Sequence, residues 1–189
     1  MKKLFVIALL AFATSLAAGE MPPAQKYFTD VELTDQHGKP VRFYSDVLQG
    51  KTVVIESFFS TCSGTCPLMN STFAKIQSAV GDRLGKDVFL VSITVDAEND
   101  TPAKLKAYAE HMKARPGWLF LTGKKENVDQ ALHKLGLAVK SREEHKNLFI
   151  VGNEPNGLWK KVHGLGKPDE IVSIVQGVIN DKGTERAAK

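Results

Sequence analysis

The chain contains two cysteines, and they stand four positions apart in the segment Cys62-Ser63-Gly64-Thr65-Cys66-Pro67. A pair with this spacing, placed between an apolar strand and a helix, suits thiol redox chemistry or the binding of a soft metal. A disulfide between the two would close a very small loop, which removes little conformational entropy from the unfolded chain. We therefore interpret the pair first as a chemical site, with a purely structural disulfide as the alternative.

The elements on either side of this pair are predicted to present it at the end of a helix. Residues 52–59 are apolar at nearly every position and rich in β-branched and aromatic side chains, which predicts a strand buried on both faces. Pro67 suits the first turn of a helix, and apolar residues recur at helical spacing from 68 to 80. At such a helix start, backbone N–H groups and the helix dipole favour the thiolate form of cysteine.

The remaining elements follow from hydrophobic pattern and turn signals. The residues 34–40 form a turn-rich stretch between two β-prone runs, which predicts a hairpin. The other predicted elements are a strand at 88–95, a helix from the Asp100-Thr101-Pro102 cap to His111, a strand at 118–121, a helix at 127–135 stopped by Gly136, strands at 148–151 and 158–162 joined by Asn156-Gly157, and a helix from Pro168. This order predicts an α/β, thioredoxin-like layered domain with an N-terminal β-hairpin and an inserted segment before the closing β-hairpin.

The first residues have the pattern of an export signal. Lys2 and Lys3 precede an apolar run from Leu4 to Phe12, and Ser15-Leu16-Ala17 supplies small residues for cleavage after Ala17. We expect a signal peptide at 1–17, a linker at 18–27, the domain at 28–182 and a polar tail at 183–189. The expected location is the periplasm or another extracytoplasmic compartment, with an uncleaved membrane anchor as the alternative.

The predicted export and the net charge of the chain limit the kinds of molecule that we expect it to bind. An oxidising compartment requires active reduction to keep thiols free, which predicts a thiol reductant protein as a partner. The formal net charge of +4 falls to +2 without the two signal lysines, and no basic stripe is interleaved with aromatic residues. We therefore expect no nucleic-acid partner, and contact with a membrane only if the N-terminal segment is retained.

One histidine is predicted to meet the cysteine pair. Residues 143–147 precede the closing hairpin and are expected on the same face of a thioredoxin-like domain, and His145 lies in this stretch. Two thiolates and one imidazole make a soft three-ligand set suited to Cu(I) or Cu(II). A zinc site would require a fourth ligand, and the chain has no second cysteine pair. The alternative for His145 is an ordinary surface histidine.

Residues 28–182 resemble the Sco/SenC family, whose members deliver copper to cytochrome c oxidase. The resemblance is carried by Cys62-x-x-x-Cys66-Pro67, by Ser92-Ile93-Thr94-Val95-Asp96 with Asp100-Thr101-Pro102 after it, and by a histidine just before the hairpin strand. It implies that Cys62, Cys66 and His145 are copper ligands. It also implies an outer-shell role for Asp96 near the metal.

Two functions compete on these residues. The first is an exported copper metallochaperone that passes copper to a client cuproprotein, such as a subunit of cytochrome c oxidase, or maintains its thiols. The second is a periplasmic thiol–disulfide oxidoreductase without obligatory metal, in which Cys62 attacks a client disulfide and Cys66 resolves the mixed disulfide. A secreted interaction domain with an inactive pair is a third interpretation.

Overall fold

The computed structural model describes residues 23–183. The predicted signal peptide, the first part of the predicted linker and residues 184–189 of the predicted tail lie outside the described residues. The strands are β1 Glu32–Asp35, β2 Pro40–Arg42, β3 Thr52–Phe58, β4 Val88–Thr94, β5 Trp118–Thr122, β6 Leu148–Asn153 and β7 Leu158–His163. The α-helices are α1 Pro23–Phe28, α2 Cys66–Val80, α3 Pro102–His111, α4 Lys125–Leu135 and α5 Pro168–Ile179.

Within residues 23–183 the strands form one seven-stranded sheet in the order β2-β1-β5-β4-β3-β6-β7. The three central strands β3, β4 and β5 are parallel, whereas β6 runs antiparallel to β3. The register pairs Thr52 with Asn153 and Ile55 with Ile150, so β6 begins beside the end of β3. The segment before β6 therefore meets the segment after β3 at one edge of the sheet. This is the thioredoxin-like arrangement that the element order predicts.

The core lies on both faces of the central strands. Every residue of β3 is buried, in agreement with its predicted burial on two faces. Val54 and Phe58 point into a cluster that includes residues of α2 and α5, while Val53 and Ile55 point into a second cluster with residues of α4. Each fully buried aliphatic or aromatic side chain contributes roughly 1.5–3 kcal/mol, so both clusters hold the sheet that carries the site.

The N-terminal hairpin forms where the sequence predicts it. Asp35 Oδ1 accepts hydrogen bonds from the backbone N–H groups of His37 at 2.8 Å and Lys39 at 2.9 Å. Two neighbouring segments differ from the sequence-based expectation. Residues 23–28, mostly within the predicted linker, form the short helix α1, and Phe43–Leu48 forms a π-helical turn directly after β2. Both segments bury aromatic side chains, and this packing stabilises them in the absence of a strong local pattern.

Three helix ends follow the predicted signals. Pro67 and Pro168 lie in the first turns of α2 and α5, and α4 stops at Gly136 in the left-handed conformation, with φ of 72°. Within the predicted Asp100-Thr101-Pro102 cap of α3, Thr101 is the capping residue: its side chain accepts from the Lys104 N–H at 3.4 Å. Among the described residues, no helix combines the length and hydrophobicity needed to cross a bilayer.

Candidate metal centre

The cysteine pair lies where β3 turns into α2. The Cys62 N–H donates to the Phe59 carbonyl at 3.1 Å, which closes the turn after β3, and Cys66 is the first residue of α2. Both are free thiols; Cys62 is half-buried and Cys66 is buried. Cys62 borders a shallow cleft of about 380 Å³ whose walls come from the cysteine loop and from the segment before β6. The lining residues are Phe59, Thr61, Cys62, Ser63, Gly64, Thr65, Glu143, His145 and Asn147.

His145 reaches the thiols from the other side of this cleft. It follows a 3₁₀ turn, Arg142–Glu144, and its Nε2 lies 3.3 Å from Cys66 Sγ. One ligand atom from each of Cys62, Cys66 and His145 lies within 4.8 Å of the others. The structure thus brings together the three residues that the sequence singles out.

The donor set fits a small soft metal ion. Metal–thiolate and metal–imidazole bonds are about 2.0–2.3 Å long, so ligand atoms around one ion stand no more than roughly 4.6 Å apart. A separation within 4.8 Å requires only a small side-chain adjustment. The Nδ1 atom of His145 is buried and has no hydrogen-bond partner among the described residues, so no protein hydrogen bond occupies this ring nitrogen. Thiolate sulfur and imidazole nitrogen are ligands that copper prefers.

Burial determines the protonation of Cys66. Desolvation raises the pKa of the Cys66 thiol, and the neighbouring Cys62 and a nearby carboxyl, Glu56, raise it further. For Cys66, burial therefore opposes the stabilisation of the thiolate that a helix start provides. The metal-free, reduced residue holds its proton, and a metal would displace it.

Glu56 is an acid that the sequence analysis did not single out. It is 1% exposed in β3, and Ser92 Oγ donates to its Oε1 at 2.8 Å, while the Trp118 indole N–H donates to Ser92 Oγ at 3.0 Å. Burial raises the pKa of Glu56 to about 8, although the hydrogen bond from Ser92 acts to lower it. The carboxyl is consequently protonated at neutral pH. In the sequence it is visible only as one charged residue within an apolar strand.

Asp100 anchors the loop that leads to Cys62. It is buried, and its carboxylate accepts from the Ser60 N–H at 3.0 Å, from the Ser60 hydroxyl and from the Thr94 hydroxyl. These bonds tie the end of β4 to the start of the cysteine loop. The sequence suggests a helix cap at this position, and the long-range partners are supplied only by the fold.

Thr65 and Asn147 connect the two halves of the site. Thr65 precedes α2 but its side chain does not cap the helix. Its hydroxyl donates instead to Asn147 Oδ1 at 2.7 Å and lies 3.4 Å from His145 Nε2. The hydroxyl therefore holds the histidine segment against the start of α2.

Asp96 acts on the histidine segment and does not face the thiols. Its carboxylate binds Arg142 at 2.6 Å and accepts from Asn99 at 2.7 Å. Burial of the Asp96 carboxyl acts to raise its pKa, but the bonds from Arg142 and Asn99 outweigh it and the pKa is lowered. The Arg142 guanidinium lies 5.4 Å from the Phe59 ring centroid, and that ring packs edge-on against His145 at 5.4 Å. Asp96 thus positions the segment that carries His145.

Comparisons with known proteins agree with this fold. The SCO1/SenC family model matches residues 19–180. A SCO2-like protein of Rickettsia felis is 33% identical over 158 residues, covering 78% of this chain and 75% of the relative.

Two solved structures cover most of the chain. Yeast Sco1, solved with copper bound, has a TM-score of 0.64 and 25% identity, covering 82% of this chain and 94% of its own. The structure of BsSco has a TM-score of 0.64 and 27% identity, covering 78% of this chain and 90% of its own. BsSco is described as having a disulfide switch and as a member of the Sco family of cytochrome c oxidase assembly proteins. Because the family model spans nearly the whole described domain, the chain belongs to the SCO1/SenC family.

Proposed function

We propose that this protein binds copper through Cys62, Cys66 and His145 and passes it to a client cuproprotein outside the cytoplasm. The observation that carries the proposal is the convergence of two free thiols and one imidazole within 4.8 Å on the edge of the sheet. The family membership and the copper bound to yeast Sco1 support it. Copper is the cargo in this function, and the protein is its carrier.

The unequal burial of the two thiols suits ligand exchange. Cys66 is buried at the start of α2, and its raised pKa means that incoming copper replaces a proton on this sulfur. Cys62 is half-buried beside the open cleft, where a ligand of another protein can reach a metal held there. His145 lies on a segment held by side-chain contacts, so it can release the metal without disturbing the sheet.

Two further arguments support the proposed location and client. The export signal predicted at 1–17 supports a location in the cell envelope. The description of BsSco as belonging to a family of cytochrome c oxidase assembly proteins supports an oxidase subunit as the client. In that oxidising compartment, a thiol reductant protein must return the pair to the free state.

Thiol–disulfide exchange is the second candidate function. Both cysteines are free and adjacent, and a disulfide switch is described for BsSco. In this reaction the Cys62 thiolate attacks a client disulfide and releases one client thiolate, after which Cys66 loses its proton and attacks Cys62 Sγ to release the other. We place copper transfer first, because His145 completes a three-ligand set beside the two thiols, whereas disulfide exchange does not use the imidazole.

Anaerobic copper titration of the reduced protein tests the proposal. We expect about one copper per chain, with thiolate-to-copper charge-transfer absorption in the Cu(II) form. His145→Ala should weaken copper binding at least about tenfold, because one of three ligands is lost. The matched control is His133→Ala, an exposed histidine on α4 that should leave binding unchanged. Equal copper affinity in His145→Ala and the parent would favour the oxidoreductase.

A further inference from the structure

A second concave surface lies away from the cleft, between α1, α4 and the strands β6 and β7. It is a groove of about 410 Å³ with apolar and aromatic walls. Its lining residues are Ala24, Tyr27, Phe28, Lys134, Leu135, Ile150, Trp159, Lys160 and Lys161. Three of these nine lining residues are lysines and none is acidic. The groove therefore combines an apolar surface with positive charge that no lining carboxylate balances.

The walls of this groove are held in place by specific contacts. The ring centroids of Phe28 and Trp159 are 4.5 Å apart. The Trp159 ring lies directly over Gly152, where an added Cβ would come within 2.2 Å of it, so this position needs glycine. Tyr27 remains 59% exposed, with the Lys134 ammonium 5.7 Å from its ring centroid. A large aromatic side chain left this exposed beside a preformed groove is available to a partner.

Positive charge continues from the groove toward the thiols. Lys161 Nζ lies 2.9 Å from the position a Cβ would take on Gly136, and Lys146 Nζ donates to the carbonyl of that glycine at 2.9 Å. Lys146 directly follows His145 in the chain. Ile150, in the groove, is five residues after His145, which limits their Cα separation to about 18 Å. Two acids lie beside this path: Glu144 lines a separate shallow hollow with Lys146, and Glu143 lines the cleft at the thiols.

We propose that this groove docks an acidic segment of the protein that exchanges copper with the site. An apolar side chain of that segment enters between Tyr27 and Trp159, and its flanking carboxylates pair with Lys134, Lys160 and Lys161. The surface is concave, which favours a protein segment over a flat bilayer. The identity of the partner as a copper client rests on the proposed function, whereas its acidic and apolar chemistry rests on the groove alone.

A peptide titration followed by amide NMR tests this docking surface. The probe is a synthetic peptide with one central phenylalanine flanked on both sides by aspartate and glutamate, added to metal-free and to copper-loaded protein. We expect shifts confined to the groove residues and the adjoining strand β7. Binding should weaken steeply between about 10 mM and about 1 M salt, as the Debye length falls from about 30 to about 3 Å. Peptides with alanine for phenylalanine, or lysine for the acids, should bind at least about tenfold more weakly.

Two double variants with the same change of charge show where on the surface the peptide binds. Lys160→Glu/Lys161→Glu should lose at least about tenfold in peptide affinity, whereas Lys106→Glu/Lys113→Glu, on exposed positions outside the groove, should change it less than about twofold. Lys160→Gln/Lys161→Gln replaces the first pair if that variant does not fold. Equal effects of the two charge reversals, or binding to phosphatidylglycerol vesicles with none to the peptide, would overturn the proposal. Failure to load copper would refute the proposed function alone, since the metal-free protein still reports docking.

Discussion

Replacing Glu56 by Gln should abolish a pH dependence of stability that originates in the core. Glu56 is buried in β3 with Ser92 as its hydrogen-bond donor, and its pKa is raised to about 8. In the unfolded chain the carboxyl titrates at its usual value of 4.5. Between these two values the native state holds a proton that the unfolded state has released, so stability falls as pH rises.

The size of the effect follows from the pKa difference. At about 1.36 kcal/mol per pH unit, the span from 4.5 to about 8 corresponds to about 5 kcal/mol of unfolding free energy. At pH 7 the loss is about 3 kcal/mol. Glutamine keeps an acceptor for Ser92 but has no proton to release, so Glu56→Gln should match the parent near pH 5 and exceed it by several kcal/mol near pH 8.

Urea unfolding of the reduced, metal-free protein at steps from pH 5 to pH 8 measures this difference. Ser92→Ala is the control, because it removes two buried hydrogen bonds, one to Glu56 and one from the Trp118 indole, but leaves the carboxyl buried. That variant should be less stable than the parent at every pH and should retain the slope. Stability curves of the parent and Glu56→Gln that stay parallel across the whole range would refute the reasoning.

Three further predictions concern the site. Asp100→Ala should lower the free energy of unfolding by about 3 kcal/mol or more, because it leaves three donors from Ser60 and Thr94 without their acceptor. Asp100→Asn should lower it less, and chemical denaturation compares the two variants. Arg142→Ala should leave global stability nearly unchanged, because the ion pair with Asp96 is partly exposed, but it should speed hydrogen exchange in residues 143–147. Unchanged exchange would contradict its positioning role. Oxidation of the cysteine pair should shift the melting temperature by only a few degrees, because the loop is so short, and a shift of tens of degrees would mean a structural disulfide.

The sequence predicts the central strands and most helices closely. Both β3 and β4 end within one residue of their predicted limits, since their runs are mostly apolar and are bounded by polar residues. Gly136 stops α4 as predicted, because its left-handed conformation suits glycine. The approach of His145 to Cys66 also follows from element order, once β6 is expected beside β3.

The remaining features depend on distances that no local pattern contains. The bond from Ser60 to Asp100 joins residues 40 apart, and the pair of Arg142 with Asp96 joins residues 46 apart. The start of α4 at Lys125 lacks a side-chain cap, so sequence signals place it two residues late. Helix α1 is too short for a periodic pattern and is fixed by Phe28 packing on Trp159.

The antiparallel placement of β6 has a consequence for when the protein can acquire its cargo. His145 meets Cys66 across 79 residues of sequence, and the contact exists only once the last hairpin has joined the sheet. An incompletely folded chain offers copper two thiols, while the finished domain offers three ligands. Acquisition is thereby coupled to completed folding, and bound copper in turn stabilises the native chain by mass action. The complete ligand set therefore forms only after the closing hairpin has folded onto β3.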